Sequence, residues 1–112
     1  MKYSFFGTCA NDYDQFFGCL ETMLGQSLIP KQIILINSGE EDIKDKILKN
    51  FSNKKVQLVY IFKKLSRVRA LNIAIDLSDA EYSFRFDSRA RFASNYAQNA
   101  LAILKDEKIR AS

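Results

Sequence analysis

The sequence predicts an α/β domain: a three-layer, mainly parallel sheet of about four strands with flanking helices. Two observations carry this. Apolar periodicity switches back and forth between alternation and helical spacing, which reads as β-α-β-α-β-α-β-α. Ile33-Ile34-Leu35-Ile36 is an unbroken apolar run, suited to a strand buried on both faces of a parallel sheet. No repeat, linker or low-complexity segment interrupts the pattern, and 112 residues amount to a single domain, 1–112.

Taken in order, Tyr3 to Thr8 is the first strand, short and aromatic. Asn11 and Asp12 are helix-cap candidates for a helix whose stripe is Phe16, Cys19, Leu20, Met23 and Leu24. Gly25 is placed to end it, with Pro30 beyond. Gln32 to Ile36 is the second strand, closed by Asn37-Ser38-Gly39. Ser38 and Glu41 have capping-box spacing for a second helix, with Ile43, Ile47, Leu48 and Phe51 inward and Lys44, Lys46 and Lys49 outward. A polar loop, Ser52-Asn53-Lys54-Lys55, leads to a third strand, Val56 to Phe62. Val68, Leu71, Ala74 and Ile75 mark a third helix, which Ser78-Asp79 breaks. Tyr82, Phe84 and Phe86 alternate as a fourth strand. Ala93, Tyr96, Ala97, Ala100, Leu101 and Leu104 form the last stripe, with fraying expected from Lys105 on.

The fourth strand stops in Asp87-Ser88-Arg89-Ala90-Arg91, three charges in five residues with no glycine. A carboxylate at the carboxyl end of a strand in an α/β sheet stands where ligands usually bind. Arg67 and Arg69 sit near a helix start, where the dipole favours acids, so they are candidates for phosphate contacts.

Composition excludes several classes. Apolar residues are 47% of the chain, enough for a core, and no run is long enough for a membrane span. The start lacks the signal-peptide pattern, so the cytoplasm is the expected location, with peripheral association at the inner face of the membrane as a further expectation. Cys9 and Cys19 read as buried reduced thiols. There is no histidine, so any metal would need carboxylates. The net charge of +4 is compatible with nucleic acid, anionic lipid or a phosphorylated ligand. No nucleic-acid reader motif accompanies it, and the aromatics fall on core stripes.

Several segments, in this order and at these intervals, resemble the nucleotide-sugar half of the inverting glycosyltransferases of family 2. They are Thr8-Cys9-Ala10-Asn11, the helix segment Cys19 to Ser27, Ile36-Asn37-Ser38-Gly39, Ala70-Leu71-Asn72, Ala80-Glu81-Tyr82 and Phe86-Asp87-Ser88-Arg89. The resemblance implies a Rossmann-like, GT-A type N-terminal half. It implies a nucleotide-sugar ligand, of the UDP type, held by Thr8, Asn37, Ser38, Arg67 or Arg69, Asp87 and Arg89. It also implies sugar transfer to a hydroxyl with inversion, in bacterial surface glycan synthesis. Complete members of the family continue past this length, so 1–112 is expected to be a partial domain without the acceptor half and without a catalytic base.

The family's D-x-D would place Mg²⁺ or Mn²⁺ at Asp87. Here the second acid is Arg89, and one carboxylate beside two arginines is a poor divalent site. Two readings of the tip follow. Either Arg89 or Arg91 supplies the positive charge a metal would give, or the site has lost metal and activity. In the second case the chain is a non-catalytic interaction module that joins a partner or a second copy through an exposed sheet edge. Ala10, Ser38 and Ala90 are further departures from the family pattern, at an aromatic and two acids. For Asn37-Ser38-Gly39 the plain structural reading, a strand-to-helix turn with a cap, stands beside the binding one.

Overall fold

The computed structural model describes residues 2–51 and 55–111, with side chains through 106. Eight elements alternate: β1 (Tyr3–Cys9), α1 (Tyr13–Leu24), β2 (Gln32–Asn37), α2 (Lys44–Asn50), β3 (Gln57–Phe62), α3 (Arg67–Asp76), β4 (Tyr82–Phe86) and α4 (Tyr96–Ala111). The four strands form one sheet in the order β3-β2-β1-β4, and every neighbouring pair is parallel. The predicted three-layer α/β class and its alternation are therefore what the chain adopts. The expected loop at 52–54 lies outside the described residues.

Helices cover both faces. On one, Tyr3, Phe5, Ile33, Leu35 and Phe86 meet Phe16, Cys19, Leu20 and Met23 of α1, Ile47 of α2, and Ala97 and Leu101 of α4. On the other, Phe6, Ile34 and Ile36 meet Ala70 and Ala74 of α3. All of β2 is buried, as its unbroken apolar run requires. The chain runs outward from β1 through β2 to β3, then α3 returns it to β4 on the far side of β1. That reversal of strand order, between β1 and β4, is where open α/β sheets form a crevice at their carboxyl ends.

Four local expectations need correction. In α3 the buried face is Ala70 and Ala74, whereas Val68 is 69% exposed and Ile75 is also exposed. Small side chains let this helix lie close to the sheet, with Leu71 and Ile73 partly buried beside them and Val68 and Ile75 turned outward. Helix α2 begins at Lys44 with Ile43 as cap residue and no side-chain cap, so Ser38 and Glu41 form no capping box; Leu48 is exposed. Asp12 is the N-cap residue of α1, its carbonyl accepting from Phe16 N, but neither expected cap side chain bonds the helix: Asn11, at φ 64°, accepts from Glu40 N, and Asp12 Oδ1 accepts from Ala10 N. Helix α4 starts at Tyr96, later than Ala93, because the Ala93 carbonyl accepts from Gln26 Nε2 and from Tyr96 N; its backbone stays helical to Ala111.

The α3 correction has a measurable consequence. Ala74→Leu adds bulk where the helix meets the sheet and should cost about 1–3 kcal/mol. Val68→Ser, on the outer face, should change stability by less than about 0.5 kcal/mol. Urea midpoints of the two variants check the order, and a larger loss for Val68→Ser would reverse the assignment of faces.

A candidate anion-binding cleft at the strand ends

A cleft of about 380 Å³ opens at the carboxyl ends of the strands, within the range of small-ligand pockets. Its walls are Thr8, Cys9, Ala10 and Asp12 after β1, Ser38 after β2, Arg67 and Ala70 of α3, and Asp87, Ser88 and Arg89 after β4. Parallel pairing delivers these ends together: Cys9 is in register with Asn37, and Gly7 with Phe86.

Of the residues singled out in the sequence, Thr8, Ser38, Arg67, Asp87 and Arg89 share this cleft. Arg69 is exposed on α3 and is not among its walls; its backbone N–H donates to Ser66 Oγ, the cap of that helix. Asn37 is wholly buried, beneath the cleft. Its Oδ1 accepts from Gly39 N at 3.0 Å and Tyr13 Oη at 3.2 Å, and its Nδ2 donates to Glu41 O at 2.7 Å and Tyr60 Oη at 3.1 Å. The amide has no donor left for a ligand. Tyr60 Oη also donates to Asp42, and burial raises its pKa.

Ser38 Oγ donates its proton to Lys63 O at 3.0 Å, tying the end of β2 to the end of β3. Its lone pairs remain able to accept from an N–H. The tip after β4 is a tight turn. Asp87 Oδ1 accepts from Arg89 N at 2.9 Å, and Asp87 O accepts from Ala90 N at 3.0 Å. That is an Asx turn, which holds one carboxylate oxygen and leaves the other outward.

Arg91 is spent on structure. Its Nη1 donates to the carbonyls of Ser88 and Ala90 at 2.9 and 2.8 Å, and its Nη2 donates to Gln15 Oε1 at 3.1 Å. The guanidinium lies across α1 at Gly18, where any Cβ would collide with it. Arg91 therefore holds the tip against α1 and is not placed among the walls of the cleft. Gln26 works alongside it. Its Oε1 accepts from Ala97 N at 3.0 Å in the first turn of α4, and its Nε2 donates to Ala93 O. Sequence reading gave neither residue this role, because both act through backbone groups distant in the chain. Ser88 was also passed over. It is 3% exposed, and its Oγ is the one buried side-chain oxygen or nitrogen without a partner among the described residues.

Cys9 lines the cleft but is no nucleophile. Burial, with Asp12 adding to it, pushes its thiol up to about 12, and burial pushes Cys19 to about 12. Both are free thiols, as the sequence suggested. Once unfolded they ionise near the ordinary 9.0, so the unfolded state sheds protons first as pH rises. The thiols' contribution is fully present below about pH 9 and is lost as pH climbs towards about 12. Buried Tyr3, also raised, acts in the same direction. Melting temperature should decline through this alkaline window, less steeply in Cys19→Ala. Neither thiol should react with iodoacetamide at neutral pH until denaturant is added.

The residues do not fit a divalent ion. Mg²⁺ and Mn²⁺ need hard oxygen donors. The acids here are Asp12 and Asp87, each with one oxygen on a loop amide, and Arg89 is two residues beyond Asp87. Among the described residues no group of three or more His, Cys, Asp or Glu could hold a metal. No described helix is long and apolar enough to cross a membrane.

Neither a family model nor a curated protein sequence matches the chain. Solved structures do. S. aureus TarS 1-349 in complex with UDP superposes at TM-score 0.76 with 18% identity, over 95% of this chain and 32% of that one. Its complex with UDP-GlcNAc gives TM-score 0.76 and 17% identity, over 95% and 32%. The mannosyltransferase PcManGT from Pyrobaculum calidifontis, in complex with GDP-Man and Mn²⁺, gives TM-score 0.74 and 17% identity, over 89% of this chain and 31% of that one. The chain thus spans about a third of the length of these structures. At this identity the likeness is one of fold, and it is clear: the chain has the Rossmann-like α/β fold found in these structures.

Proposed function

We propose that this chain is the donor-binding unit of a glycosyltransferase, one that moves a sugar from a nucleotide donor to a hydroxyl acceptor. The observation that carries the reading is the cleft at the point where strand order reverses. It gathers Thr8, Ser38, Arg67, Asp87 and Arg89 from four separate segments. Their chemistry suits a nucleoside diphosphate end to end. Ser38 lone pairs accept from a base N–H, and the outward oxygen of Asp87 accepts from ribose hydroxyls. Arg67 and Arg89 face the diphosphate. The structural neighbours in complex with UDP, UDP-GlcNAc and GDP-Man support a donor of this class, and UDP is the first choice.

In such a transfer the bond between the sugar's anomeric carbon and the diphosphate oxygen breaks, and its electron pair leaves on the diphosphate. The acceptor oxygen bonds the same carbon from the opposite side, with inversion, and gives its proton to a base. No residue of the cleft is assigned as that base.

Thermal unfolding with UDP, UDP-GlcNAc and GDP-Man tests the reading. At about 100 times its Kd a ligand adds about 2.7 kcal/mol, which is roughly 10 °C for a domain of this size. If none of the three raises the melting temperature, with or without MnCl₂, the reading is wrong.

A further inference from the structure

Building on the donor-binding reading, we propose that the cleft takes a nucleoside diphosphate without a divalent metal. The Arg89 and Arg67 guanidiniums and the Ser88 hydroxyl stand in the metal's place. Three observations converge on this.

The first is the donor set. A diphosphate bridged to protein by a metal needs carboxylate oxygens to hold the ion. Asp87 already spends one lone pair on its turn bond to Arg89 N, and two residues on, the cleft wall carries a guanidinium where a second carboxylate would be needed. A fixed cation there repels a dication and attracts a phosphate.

The second is that both cations are uncommitted. Lys31 pairs with Asp79, Lys46 with Glu41 and Lys64 with Glu40, whereas Arg67 and Arg89 pair with no acid among the described residues. Arginine stays charged at all working pH, and its planar fork matches two phosphate oxygens at once. Arg67 opens α3 on one face of the sheet and Arg89 follows β4, so the two approach the cleft from different elements. Arg91 is excluded from the role because it is not among the walls of the cleft and its guanidinium is bound to Ser88 O, Ala90 O and Gln15 Oε1.

The third is Ser88. It lines the cleft between Asp87 and Arg89, is buried, and has a hydroxyl with no protein partner. An unpaired buried hydroxyl is costly, and a phosphate oxygen would satisfy its donor.

Calorimetric titration of the 112-residue chain with UDP decides the matter, one arm in EDTA and one in MnCl₂. The two arms should agree within about a factor of two. In EDTA, Arg89→Ala should weaken UDP about tenfold and leave uridine unchanged; Ser88→Ala should weaken UDP about threefold. Arg89→Asp, which supplies a second carboxylate, should lose UDP in EDTA and regain it with Mn²⁺. Arg89 is exposed, so the two Arg89 variants test binding and not folding. If Mn²⁺ tightens wild-type binding by about tenfold or more, metal-free binding is refuted while the donor-binding reading survives. Unchanged UDP affinity in Arg89→Ala refutes the role of Arg89. Absence of UDP binding in both arms overturns the donor-binding reading, and this inference with it.

Discussion

Gly7→Ala is expected to destabilise the chain by about 3 kcal/mol, lowering its melting temperature by roughly 12 °C. Gly7 lies in β1, inside the sheet, in register with Phe86 of β4. A Cβ at Gly7 would sit 2.5 Å from the Phe86 carbonyl oxygen and 2.9 Å from two atoms of its ring. The ring can shift. The carbonyl belongs to the β1–β4 ladder and can move only if the strands part. The double variant Gly7→Ala/Phe86→Leu, which removes the ring clash but keeps the carbonyl, should therefore recover only part of the loss. Full recovery would show that the ring alone was the obstacle. The change also reaches the cleft, since Gly7 precedes Thr8 and Phe86 precedes Asp87. Nucleotide affinity should fall further than stability predicts, as the two strand ends lose their relative placement.

Asn37→Ala should cost a similar amount, about 3 kcal/mol. The buried amide joins four groups from three segments: Tyr13, Gly39, Glu41 and Tyr60. Most keep another partner after truncation. Tyr60 Oη still has Asp42 and Ile43 N, and Glu41 O still has Tyr13 Oη. Gly39 N does not, and it is buried beside the loss. An orphaned buried amide carries most of the penalty. Tyr13→Phe, which removes one hydroxyl and leaves Asn37 in place, should cost only about 1 kcal/mol. Hydrogen exchange at residues 38–43 should quicken in Asn37→Ala well before global unfolding. If exchange there is unchanged, Asn37 is not what holds that loop. Ser38 rides on this loop, so Asn37 serves the cleft by positioning it.

The same two sites show where sequence reading succeeds and stops. Asn37 was visible as part of a motif, but a motif does not say whether an amide faces a ligand or a neighbouring loop. Tyr60 and Glu41, its partners, lie 23 and 4 residues away. Val68 and Ala74 were both on a stripe of the right period. Which of them faced the sheet depended on how closely the helix could approach it, a property of the packed pair and not of the helix. Ser88 lies between two charged residues in the sequence, and nothing in that order shows that it is buried in the fold.

The sequence by itself determined the class, the order and nearly all the bounds of the elements. Periodicity is local, and the unbroken run of β2 already declares a strand covered on both faces. It also placed Thr8, Ser38, Arg67, Asp87 and Arg89 near the ends of elements. Only the tertiary structure brought those ends into one cleft, set β4 beside β1, and spent Arg91 and Asn37 on the frame while leaving Arg89 open. The reason is physical: a side chain's availability depends on which buried backbone groups need it, and those groups come from parts of the chain that meet only on folding.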